Sequence, residues 1–267
     1  MFKTLRNISL DEIKFLLEFG RPKRKASIFE LRTKYLEEME PVFFLSTGRA
    51  GTKWFTNILK KNKGVKVLHD PYPNFAVQNK FAYDLLNSQS TVNHDCKYFE
   101  CIKEIYLTGR ENYLRFSFKS HKRLIETNSS ITFFAPMLTD LFPKSKFVHL
   151  IRPAEEFVLS GLNRGYYSDH PQEIRRIIPH EMKDKWGKLS QIEKIAWLWR
   201  ETYLFIENTG NKLNNKRFVK FDFNKPEKEK VKDLLNFIQV EVPDSHIKRL
   251  INKPANIQKK TEVKRLV

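Results

Sequence analysis

The stretch from Pro41 to Leu59, P-V-F-F-L-S-T-G-R-A-G-T-K-W-F-T-N-I-L, limits the folds open to this chain more than any other. Val42 to Leu45 are four apolar residues in a row, two of them Phe, which suits a strand buried on both faces of a parallel sheet. Ser46 to Thr52 then place two glycines, a cation and hydroxyls in a short turn, and Phe55, Ile58 and Leu59 recur at helical spacing. A strand, a glycine turn and a helix together aim backbone N–H groups and a positive helix end at a phosphate or sulfate. An ordinary βα turn that happens to hold two glycines is the alternative for this loop taken alone.

The turn departs from the nucleoside-triphosphate loop, in which a Lys and then a Ser or Thr follow the last glycine and the hydroxyl holds magnesium. Here Thr52 follows Gly51, Lys53 comes one place late, and Trp54 occupies the next position. The anion expected is therefore one held by Arg49, Lys53 and backbone donors without a metal.

A second site of the same kind follows about a hundred residues on. Lys146 to Ile151 reads as another buried strand, ending in Arg152-Pro153, with Ser160 eight residues past the Arg on the next helix. With both motifs in hand, the chain resembles the sulfotransferases that use 3′-phosphoadenosine 5′-phosphosulfate (PAPS). Arg49 to Trp54, R-A-G-T-K-W, is similar to their 5′-phosphosulfate loop; Arg152 to Ser160, R-P-A-E-E-F-V-L-S, is similar to their 3′-phosphate motif. The likeness runs from Val42 to Asn163, with weaker echoes to the C-terminus. It implies an α/β, three-layer P-loop-like fold with a mostly parallel central sheet flanked by helices. It also implies PAPS as co-substrate, bound by Arg49, Ala50, Gly51, Thr52, Lys53, Trp54, Arg152 and Ser160, with Trp54 stacking on adenine. From the tail, where the family closes a basic loop over the 3′-phosphate, only Lys253 carries over, because the expected glycine is missing.

Sulfuryl transfer needs cations at the departing phosphate oxygen and a base for the acceptor's proton. Arg49 stands where the family has its usual catalytic Lys, so Arg49, Lys53 and Lys119 are the candidate cations. Val65 to Leu68 reads as a strand, and His69-Asp70-Pro71-Tyr72-Pro73 after it forms a rigid loop at the same edge as Arg49. Leu114 to Phe118 alternates like a strand and leads into Lys119-Ser120-His121, which resembles the Lys-Thr-His of sulfotransferases acting on small alcohols and phenols. That likeness makes His121 the first choice for the base. Asp70 resembles the acidic residue used at the end of the second strand by carbohydrate sulfotransferases and their bacterial relatives, and stands close behind. Gly165 to Lys188, polar and Pro-broken, reads as a mobile substrate loop.

The chain's 267 residues, 40% hydrophobic with 22 Phe, suffice for one folded α/β domain over residues 41–267. Residues 1–40 read as a helical appendage in which Ser9-Leu-Asp-Glu12 and Ser27-Ile-Phe-Glu30 each have the form of a capping box. No apolar run approaches the ~20 residues of a membrane span and no cleavable leader is evident, so a cytoplasmic enzyme is expected. Cys96 and Cys101 read as a reduced, structural pair without metal-ligand spacing. The formal net charge of +18, with a sequence pI near 9.8, raises nucleic acid as a partner, but no helix-turn-helix, zinc or RNA-binding signature accompanies it. A polyanionic donor absorbs part of that charge; the rest points to an acidic small-molecule or carbohydrate acceptor or an anionic membrane surface. Two other classes compete: a P-loop nucleotide kinase, which lacks its Lys and Ser/Thr here, and a basic module that binds polyanions without catalysis.

Overall fold

Val42–Leu45 (β1) lies at the centre of a five-stranded sheet ordered β2-β3-β1-β4-β5, whose other members are Val65–Leu68 (β2), Arg123–Glu126 (β3), Lys146–Ile151 (β4) and Phe218–Asp222 (β5). Every pairing is parallel. The computed structural model describes residues 28–87, 96–168, 175–180, 183–224 and 226–251. Phe43 and Leu45 enter the core on one face of the sheet, and Val42 and Phe44 enter the core on the other. Both faces of β1 are covered, so its sequence carries no polar alternation.

In chain order the helices are Ile28–Glu38 (α1), Thr52–Leu59 (α2), Ala76–Asn87 (α3), Cys96–Lys119 (α4), Ala135–Leu141 (α5), Ala154–Leu162 (α6), Lys183–Trp186 (α7), Gln191–Gly210 (α8), Lys228–Phe237 (α9) and Asp244–Ile251 (α10). A 3₁₀ helix, Ser129–Phe134, leads into α5. The core against Val42 and Phe44 is filled by Phe55 and Ile58 of α2, Leu234 and Leu235 of α9 and Ile247 of α10. The opposite core takes side chains of α1, α3, α4, α5, α6 and α8. The result is the three-layer α/β arrangement expected, with an all-parallel sheet. Tyr35 of α1 is fully buried in that second core and donates to Glu111 Oε2 at 2.6 Å, so this helix belongs to the packed unit. Residues 1–27 of the expected appendage, including both capping-box serines, lie outside the described residues.

One expected strand is a helix. Leu114 to Phe118 forms the last turns of α4, and the third strand is Arg123–Glu126 instead. The inward face of α4 holds Ile102, Tyr106, Arg110, Tyr113, Leu114 and Ser117, all buried, at helical spacing. Arg110 is fully buried because it is satisfied: Nη2 reaches Glu126 Oε1 at 2.9 Å, Nε the same oxygen at 3.1 Å, and Nη1 donates to the Pro73 carbonyl at 2.8 Å. This network ties the end of β3 to the loop that follows β2.

A parallel sheet puts the carboxyl ends of all its strands at one edge. The loops after β1, β2, β3, β4 and β5 therefore meet there, and ligand sites of α/β sheets form at that edge.

Candidate active site

The turn after β1 uses left-handed backbone at three of four consecutive positions: Gly48 (φ 81°), Arg49 (φ 59°) and Gly51 (φ 89°). Gly51 has a second reason to lack a side chain, since a Cβ there would lie 2.5 Å from the Phe223 ring. Gly51 also precedes α2 as its N-cap, with no side chain capping the helix and no acidic residue in its first turn. The first N–H groups of α2 thus have no partner inside the helix, and the residues that carry them line a cavity.

Arg152, just past β4, reaches back to this turn. Its Nη1 donates to the Arg49 carbonyl oxygen at 3.0 Å, and its Nε pairs with Glu156 Oε2 at 3.0 Å. Trp199 of α8 donates from Nε1 to the Arg152 carbonyl at 2.8 Å, fixing the backbone there. Because β4 pairs directly with β1, Leu45 opposite His149, the two anion motifs lie side by side at one sheet edge.

The cavity they border has a volume of about 960 Å³, at the upper end of the size usual for ligand pockets. Its walls carry Arg49, Lys53, Arg152, Arg164, Arg175 and Arg176 against two carboxylates, Asp70 and Glu156. Burial lowers the Arg49 pKa, with Arg164 and Arg152 adding like-charge repulsion. The Nε of Arg49 and the Oγ of Ser160 are buried without a hydrogen-bond partner. Crowded cations, an unpartnered guanidinium donor and an uncapped helix end are what a polyanion needs. The residues present therefore fit a phosphosulfate donor.

After β2, His69 and Asp70 line the same cavity. Asp70 sits in left-handed backbone (φ 48°) with its carboxylate 62% exposed, while the His69 ring is 14% exposed. His69 Nε2 lies 3.5 Å from Asp70 Oδ2, and Nδ1 lies 3.3 Å from the Thr127 hydroxyl. The Thr127 hydroxyl is itself 2.8 Å from that of Thr56 in α2. Burial pushes the His69 pKa down, outweighing the pull of Asp70, and Lys53 adds to the depression. His69 is therefore neutral near pH 7.

The sequence-derived candidates divide accordingly. Arg49, Gly51, Thr52, Lys53, Trp54, His69, Asp70 and Arg152 share the cavity. Ala50 is buried in the core beneath the turn, and Ser160 is buried on α6 without lining the cavity. Trp54 is only 3% exposed, donates from Nε1 to the Leu250 carbonyl at 2.9 Å and packs edge-on to Phe223, so little of the indole is open for stacking on adenine. Lys119 and His121 are a correction. They precede β3, at the amino-terminal edge of the sheet, and neither lines the cavity. The reason is the helix that replaces the expected strand: Lys119 ends α4, and His121 lies in the turn before β3. Lys253 lies outside the described residues.

Residues that sequence reasoning did not assign include Phe223, which closes over Gly51, and Thr127, which holds His69. Arg164 and Tyr166 also face the cavity, directly after the Ser160 motif in a run whose Arg and Tyr content was the available signal.

No family model and no curated protein matches the sequence. Solved structures do match. The chain has the sulfotransferase fold: it resembles sulfotransferase STF1 from Mycobacterium tuberculosis at a TM-score of 0.51 and 14% identity, covering 85% of this chain and 74% of that one. Weaker matches include the sulfotransferase domain from the curacin biosynthetic pathway, with TM-score 0.48 and 15% identity over 79% of this chain and 77% of that one. Another is the sulfotransferase domain of a Synechococcus olefin synthase, with TM-score 0.46 and 18% identity over 78% and 77%.

Proposed function

We propose that this chain is a PAPS-dependent sulfotransferase that moves a sulfuryl group to a hydroxyl of an acceptor, of carbohydrate or glycolipid type, by in-line displacement. The observation that carries the reading is the contact between Arg152 Nη1 and the Arg49 carbonyl. It sets two anion-binding motifs against one cavity, as a donor with a phosphosulfate at one end and a phosphate at the other requires.

PAPS supplies an activated sulfuryl group on a phosphate leaving group. Little covalent work is left for the protein, so positioning and charge stabilisation dominate. Arg49 and Lys53, with the N–H groups of Gly51 and Thr52, stabilise negative charge at the leaving-group oxygen. Arg49 acts electrostatically, since a guanidinium is a poor proton donor. Arg152 holds the 3′-phosphate; the Ser160 hydroxyl, buried and unpartnered but not on the cavity wall of the free protein, joins it once the donor is bound. Asp70 accepts the acceptor's proton, and neutral His69, held by Thr127, orients the Asp70 carboxylate. Lys119 and His121 have no part, being at the other edge of the sheet.

Incubation with radiolabelled PAPS and a panel of hydroxyl compounds tests this reading. Label should pass to an acceptor without added metal, and transfer should stop in Arg49→Ala. Absence of transfer together with absence of donor binding would overturn it.

A further inference from the structure

The order of the strands sorts the cavity wall by chemistry. The two anion motifs follow β1 and β4, and every Lys and Arg on the described wall belongs to a segment after one of these strands. The segments after β2 and β3 are the His69-Asp70 loop with α3, and the 3₁₀ helix Ser129–Phe134. They contribute no Lys or Arg to the described wall; Asn79, Ser129 and Ser130 join Asp70 there instead. Neutral hydrogen-bonding groups on the segments that carry the proposed base have no part in gripping a polyanionic donor.

Asn79 is the one of these whose orientation is fixed. Its Oδ1 accepts from the Phe133 backbone N–H at 2.8 Å. The preceding residue, Thr132, is tied both ways to Ser46 at the start of the anion turn: its hydroxyl donates to the Ser46 carbonyl at 2.9 Å and accepts from the Ser46 N–H at 3.2 Å. Asn79 is thus fastened to the element that borders that turn, while its own helix continues from the Asp70 loop. Only the oxygen of an amide can accept from an N–H, so the bond to Phe133 decides which end of the side chain is which. Nδ2 then remains as a pure donor, without a partner among the described residues, on a half-buried side chain that lines the cavity. We infer that Asn79 binds the acceptor, its Nδ2 donating to a sugar hydroxyl oxygen other than the one that reacts at Asp70. This deepens the sulfotransferase reading and rests on it.

The test uses the full chain, radiolabelled PAPS, and methyl glucoside and methyl galactoside with their single-position deoxy and aminodeoxy derivatives. In the wild type, loss of the hydroxyl at one ring position should lower kcat/KM about three- to tenfold, the scale of one neutral hydrogen bond. An ammonium at that position should lower it further, because it meets Nδ2 with donors only. Asn79→Asp keeps an acceptor for the Phe133 N–H and replaces the free donor by a carboxylate oxygen. It should reverse the order at that position, using the aminodeoxy sugar better than the parent, with adenosine 3′,5′-bisphosphate affinity unchanged. In Asn79→Ala the penalty for the deoxy sugar should vanish. A residue that only braces the 3₁₀ helix would lower all the sugars by one factor; that result, or an unchanged ranking in Asn79→Asp, overturns the inference. So does loss of bisphosphate binding in Asn79→Asp, which would put the residue at the donor, or bisphosphate binding by the wild type with none of these sugars used. Failure of the wild type to bind the bisphosphate at all would instead remove the sulfotransferase reading beneath it.

Discussion

The guanidinium of Arg152 and the carbonyl oxygen of Arg49, 103 positions apart in sequence, are joined by a 3.0 Å hydrogen bond. Arg152 spends Nη1 on that bond and Nε on Glu156, leaving Nη2 without a partner among the described residues and next to the cavity. One side chain thus fixes the shape of the first anion loop and offers a donor to the second. Its position is set by the β1–β4 pairing and by the Trp199 bond to its carbonyl, so the arrangement is present before any ligand arrives.

Ser160 gives a prediction with two readouts of opposite sign. Its hydroxyl is buried and unpartnered, and an unmade hydrogen bond of this kind costs about 1–3 kcal/mol. Ser160→Ala should therefore raise the unfolding midpoint of the free protein. The same change should weaken adenosine 3′,5′-bisphosphate binding by roughly three- to tenfold, because the phosphate loses a donor. Denaturant titration and calorimetry on the same preparation measure both, and a variant with higher stability and full affinity would remove Ser160 from the donor site.

The identity of the base is tested by turnover. Asp70→Asn should lower kcat by about 10²- to 10⁴-fold, the range for loss of a general base. His69→Gln should reduce kcat less, since His69 acts through Asp70. His121→Ala should leave kcat and KM as they are, because His121 is exposed at the far edge of the sheet. Loss of turnover on changing His121 would contradict the assignment.

Acid should destabilise the protein through two histidines. Burial pushes the pKa of His69 down, and burial likewise outweighs the 2.8 Å contact with Glu207 to push His149 down. In the unfolded chain both protonate near their ordinary value of about 6.5. Below that pH the unfolded state holds more protons than the folded one, so stability is full above it and falls as pH falls. Urea midpoints measured at about pH 7.5 and about pH 5.5 should be lower at the acid value, and His149→Gln should flatten the difference. A midpoint that is level or higher at the acid pH would contradict this account.

Legibility in the sequence followed burial. Val42–Leu45 and Lys146–Ile151 were readable because strands covered on both faces become unbroken apolar runs, and the turn between β1 and α2 because it needs glycine at two left-handed positions. Helix α4 was misread for the opposite reason. Arg110 and Ser117 sit on its buried face, where a polar residue breaks the apolar period, and only the tertiary partner Glu126 makes Arg110 acceptable there. The five residues from Leu114 to Phe118 then alternate by accident, and Lys119-Ser120-His121 after them resembles a strand-end Lys-Thr-His. At the site, Arg49, Gly51, Arg152 and Asp70 were visible because each follows directly from a strand end. Thr127 was not, because the strand it follows was expected at Leu114 to Phe118 and lies at Arg123–Glu126; Phe223 also follows a strand, but its part is a contact with Gly51, distant in sequence.

The central claim is that one adenylate-type donor is held at both ends in this cavity, and isothermal calorimetry with adenosine 3′,5′-bisphosphate tests it most directly. Without added metal the wild type should bind, and Arg152→Ala should lose more than about 1.4 kcal/mol, a tenfold drop in affinity. No binding by the wild type, or binding only of ATP with magnesium, would contradict it.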